Sequence, residues 1–127
     1  MANVRDWIPL KASGAIGARL LVALENDAGN FSGTKGEALQ ADGDDAAVIG
    51  VSGSRAVKDG ETVEVAAPGY VAQVVYGGAV ESGDMLTSDA NGKAVKTTTG
   101  GKRIVGIAMI DGVANDIGEV LLSPGSV

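Results

Sequence analysis

The chain has 127 residues, of which 45% are apolar and 20 are glycine, and it carries a net charge of −6 with no histidine and no cysteine. One domain is the expectation at that length, and the apolar share excludes a wholly disordered chain. The acidic balance argues against nucleic-acid binding, and without His and Cys there are no disulfides, no thiolate metal sites and no Ser-His-Asp triad.

Residues 1–14 read as an arm. Trp7, Ile8, Pro9 and Leu10 form a short apolar patch, Pro9 biases Ile8 to extended geometry, and Ser13-Gly14 closes the segment. Its start, Met1 to Leu10, carries Arg5 and Asp6 and no apolar core segment, so no secretory leader is expected. The apolar run 17–25 suits a strand better than a helix, because Gly14 and Gly17 lie just before it and a turn-rich stretch follows. Residues 26–47 read as loops around a short strand near 38–41.

Strands then follow quickly. One is expected at 46–52. At 62–67 the alternation is clean, with Val63, Val65 and Ala67 on one face. The segment 70–76 places Tyr70, Ala72, Val74 and Tyr76 on one face and ends at Gly77-Gly78. Strands at 84–88 and 93–96 flank Asn91-Gly92, the strongest short hairpin signal. A mostly apolar strand at 103–110 turns at Asp111-Gly112, and the last strand, 118–123, stops at Pro124-Gly125. The spacing points to an all-β fold, a small barrel or sandwich. There is no run of about 18 apolar residues that would span a membrane.

A weak internal repeat runs through this pattern. Val48-Ile49-Gly50-Val51 resembles Ile104-Val105-Gly106-Ile107. Each is followed by an acid-plus-glycine turn and a strand, at 59–65 and 116–122, and then by Pro-Gly at 68–69 and 124–125. Two related β units would produce it; so would the reuse of turn chemistry in an ordinary β domain.

The candidates for chemistry have plainer readings. Gly50-Val51-Ser52-Gly53 lacks the spacing of a nucleophile elbow, and no base is present to serve it. Asp42, Asp44, Asp45, Asp84 and Asp89 all lie in turn-forming stretches, where Asp caps the backbone. Asp42-Gly43-Asp44-Asp45 lacks the spacing of an EF-hand. Thr99-Gly100-Gly101-Lys102-Arg103 lacks the phosphate-loop spacing and is followed by a strand. Lys93, Lys96, Lys102 and Arg103 are too few for nucleic acid and suit edge protection. No enzyme activity and no cofactor are expected. Only four residues are aromatic: Trp7, Phe31, Tyr70 and Tyr76. A core of Val, Ala, Ile and Leu is small, which favours association. Trp7 is either an exposed anchor, since Trp is enriched at interface hot spots, or a plug for its own core; the intermediate is an arm that crosses onto a neighbouring subunit.

The stretch 80–95, with Gly83-Asp84-Met85-Leu86-Thr87-Ser88-Asp89 and Gly92-Lys93-Ala94-Val95, resembles that of the capsid decoration (cement) proteins of tailed phages. Ile104-Val105-Gly106-Ile107-Ala108 is similar to the family's next strand and 118–125 to its closing strand. Ile49-Gly50-Val51-Ser52 and Gly60-Glu61-Thr62-Val63-Glu64-Val65 fit upstream. The resemblance covers roughly residues 18–125 and is weakest in the arm and the loop 26–45. It implies a small β-barrel or β-tulip domain at 15–127 preceded by an extended arm at 1–14. It also implies a homotrimer, without cofactor, made in the host cytoplasm and bound to the major capsid protein on the outer capsid surface near three-fold junctions, where it stabilises the shell. The residues expected to contact the capsid or a neighbouring subunit are Val4, Trp7, Ile8, Pro9 and Leu10. A carbohydrate-binding or adhesive β module on a virion surface is the alternative.

Overall fold

Alternating apolar and polar side chains make ten strands, and no helix, among the residues described by the computed structural model: 7–24, 37–43, 48–66, 68–69, 71–98, 100 and 103–126. Val4, Phe31, Tyr70 and most of the turn-rich stretch before β4 lie outside the described residues. The strands are β1 (Trp7–Lys11), β2 (Leu21–Leu24), β3 (Ala38–Gln40), β4 (Val48–Ser52), β5 (Thr62–Ala66), β6 (Val71–Val75), β7 (Met85–Ser88), β8 (Ala94–Lys96), β9 (Arg103–Ala108) and β10 (Ile117–Ser126). They form two five-stranded antiparallel sheets, ordered β1-β5-β4-β2-β3 and β6-β10-β9-β7-β8.

The second order is the first with five added to every strand number, so the chain is two copies of one β unit. The connections match as well. Ala12 bridges Ala38 in parallel and Ile16 bridges Val57; Tyr76 bridges Ala94 in parallel and Val80 bridges Gly112. The turn before the last strand of each unit has the same bonds. Glu61 N donates to Lys58 O at 3.0 Å and the Glu61 carboxylate accepts from Lys58 N at 2.7 Å. Asp116 N donates to Val113 O at 3.0 Å and its carboxylate accepts from Val113 N at 2.9 Å. This register sets Gly60 against Asn115, both left-handed at φ 84° and 72°.

The all-β reading holds, but barrel closure is corrected to a sandwich-like pair of sheets. Every ladder stays within one unit, so β1, β3, β6 and β8 remain edges. The extended arm is corrected in its described part. Residues 7–11 are strand β1, in register with β5 from Trp7↔Ala66 to Lys11↔Thr62. Val63 and Val65 supply an apolar stripe against which Leu10 packs, which favours a paired strand over a free arm.

The main core lies between the sheets. The first contributes Leu21, Val51 and Ala66; the second contributes Ala72, Val74, Tyr76, Val80, Leu86, Val120 and Leu122. The far side of the first sheet has its own core of Ala12, Ile16, Val22, Ala38, Val57, Val63 and Val65. These are the repeat counterparts of Tyr76, Val80, Leu86, Ala94, Gly112, Gly118 and Val120, so each unit builds its core on the same face. The units therefore stack front to back rather than face to face.

Candidate functional site

Strand β1 forms the rim of a cleft between the two sheets. Trp7 pairs with Ala66, on the face turned toward the second sheet, and β6 runs opposite. The cleft, about 400 Å³ in volume, is lined by Trp7, Arg19, Ser54, Ala66, Val71 and Gln73, among others. Trp7 is 42% exposed. Its ring lies over Gly53, where an added Cβ would meet it at 3.6 Å. Pro9 has no N–H to donate, and an edge strand tolerates that.

Arg19 ties the floor of the cleft together. Its N donates to Gly53 O at 2.9 Å, its carbonyl accepts from Val75 N at 2.9 Å, and its Nε donates to Gln73 Oε1 at 3.2 Å. One residue thus links the end of β4 to β6, across the two units. It does so at φ 54°, a left-handed conformation that costs a non-glycine residue about 1 kcal/mol. The matching position in the second unit is Gly83, at φ 92°, whose N donates to Ala108 O. No ion pair involves Arg19 among the described residues.

The buried Ser52 hydroxyl sits beside this turn. It accepts from Leu20 N at 3.0 Å and donates to Gly17 O at 2.7 Å. With both capacities used by the backbone, it serves as a fastener for the 17–20 turn. Tyr76, fully buried, donates its hydroxyl to Ile110 O at 2.8 Å. Burial pushes its phenol above the usual value, and Asp111, Glu119 and Asp84 add to the shift. The aromatic platform a sugar would need is therefore reduced, among the described residues, to Trp7.

Of the residues expected to make contacts, Val4 lies outside the described residues. Trp7, Ile8 and Pro9 are exposed and Leu10 is half-buried. They do not share one surface: Trp7 and Pro9 face the cleft side of the sheet, Ile8 and Leu10 the opposite side with Val65 and Val63. Arg19 and Gln73 escaped the sequence reading. The only trace of Arg19 there is an arginine at the turn position the repeat fills with glycine. The cleft offers an indole face, a guanidinium and an amide, groups that can stack on and hydrogen-bond to a polar surface.

A family model described as phage cement protein matches residues 5–123. The head fiber gp8.5 N base of bacteriophage phi29, a crystal structure, superposes with a TM-score of 0.65 at 20% identity, covering 92% of each chain. At that identity the likeness is one of fold. No curated protein matches.

Proposed function

This chain belongs to the phage cement protein family, a family of capsid-associated structural proteins, and from that premise we propose that it binds the outside of a tailed-phage head as a homotrimer and stabilises the shell. The partner is the major capsid protein near three-fold junctions, and the protein acts by adhesion, without catalysis. The observation that carries this reading is the family match over 5–123 together with an exposed tryptophan on a strand at the edge of its sheet. Trp7 and Pro9 reach the shell from the cleft rim, with Val4 before them, while Ile8 and Leu10 meet a neighbouring subunit. Weak contacts repeated by each copy of a trimer add through effective concentration.

The test is titration of purified protein onto expanded heads that lack it. Binding should saturate, and Trp7→Ala should weaken it tenfold or more with an unchanged circular-dichroism spectrum. A wild-type protein that leaves such heads bare would overturn the proposal. Bare heads combined with binding to glycans would favour the adhesive alternative.

A further inference from the structure

The first unit buries three side chains of a row whose counterparts in the second unit are exposed or only half-buried. Across β1-β5-β4-β2 the register aligns Trp7, Ala66, Val51 and Leu21 on one face. Ala66, Val51 and Leu21 are buried there against the second sheet. The same register across β6-β10-β9-β7 aligns Val71, Leu121, Ile107 and Met85. Among the described residues that row is covered only in part: Leu121 and Met85 are half-buried, while its other two members are exposed. Val71 is 53% and Ile107 36% exposed, and Ile117, on the same face, is 50% exposed. The four residues of the row are uncharged, and the exposed Glu119, between Ile117 and Leu121 on the same face, sets one carboxylate beside them.

The surface on which such a row sits is visible within the molecule. In the second unit it includes Ala72 and Val74, buried between the sheets. Their counterparts in the first unit are Ile8 and Leu10, at the same places in β1. Ile8 is 37% exposed, and Leu10 is only partly buried. Both halves of the internal contact thus have an unmatched counterpart, one at each end of the stack.

We infer that the Val71–Leu121–Ile107–Met85 row of one copy packs on the Ile8–Leu10 side of a second copy of this chain, repeating between chains the front-to-back stacking of the two units within one. The contact is heterologous, and such contacts close into rings when the rotation per copy allows. A closed ring of three chains would contain six β units. The inference rests on the trimer put forward above and names the surfaces that would form it.

The experiment measures mass in solution by light scattering. Wild-type protein should be an oligomer. Ile107→Asp and, separately, Ile8→Asp should each reduce the mass to that of one chain, with strand content unchanged by circular dichroism; Val71→Asp supplies a second row variant should Ile107→Asp unfold. Mixing Ile107→Asp with Ile8→Asp should give a two-chain species, since one supplies an intact row and the other an intact receiving side. A face-to-face contact between two rows instead predicts that Ile8→Asp keeps the wild-type mass, and that result overturns the inference. A wild-type monomer that still saturates heads overturns it as well, while leaving the shell-binding role standing. A stable oligomer that ignores heads would overturn the shell-binding role alone.

Discussion

The Tyr76 ring lies where a side chain on Gly118 would have to go; a Cβ there would fall within the ring. In the first unit Ala12 and Val63 hold the corresponding places, so the small and large partners are exchanged between the units. Gly118→Ala should therefore destabilise by about 1–3 kcal/mol through overpacking. Chemical denaturation measures it. Gly118→Val combined with Tyr76→Ala restores the first unit's arrangement and should cost less than the two single changes added together.

Tyr76 also sets a pH dependence. Its folded-state pKa lies above the ordinary value of 10.0. As pH rises past 10.0 the unfolded chain loses a proton that the folded chain keeps. Stability from this group is thus complete below that pH and declines as pH climbs toward the folded-state value. Thermal melts at increasing alkaline pH should show the decline in the wild type and a smaller one in Tyr76→Phe. At neutral pH the same substitution should cost about 1 kcal/mol, the net worth of the hydrogen bond to Ile110 O.

Ser52→Ala removes one acceptor and one donor in a buried place. Leu20 N and Gly17 O then lose their partner, at a cost of about 1–3 kcal/mol. Hydrogen exchange should show the Leu20 amide opening earlier than those of β4.

Arg19→Gly separates strain from use. Relief of the left-handed backbone should return about 1 kcal/mol, partly offset by the lost bond from Nε to Gln73. The melting temperature should stay level or rise, while binding to heads falls tenfold or more if the cleft meets the shell. A fall in melting temperature with intact binding would make Arg19 a structural clamp between the units.

Strand identity was largely legible because period-two alternation at 62–66 and 71–75 and the Asn91-Gly92 turn are local signals. The repeat was legible at Gly50 and Gly106, each pressed against a backbone carbonyl of the neighbouring strand, that of Ala66 and that of Leu121. Its register at Gly60 was not legible, because Asn115 takes the same left-handed turn without being glycine. The choice of sheets over a barrel was not legible: it depends on which edges pair, and alternation leaves that open. Trp7 stood out by residue type alone. Arg19 did not, since its importance comes from a backbone angle and from partners at Gly53, Gln73 and Val75, distant in sequence.

Because every strand ladder is confined to one unit, a cut in the short connection between β5 and β6 would sever no hydrogen-bonded ladder. The two fragments would each hold a complete five-stranded sheet, and their facing side chains together with the hydrogen bonds that cross between them, at Arg19, from Leu21 N to Gly92 O and from Gln40 Nε2 to Asn91 O, would let them find each other again. The single chain is in this sense a tethered heterodimer, and the tether does the work of keeping two half-length proteins at equal number on every particle.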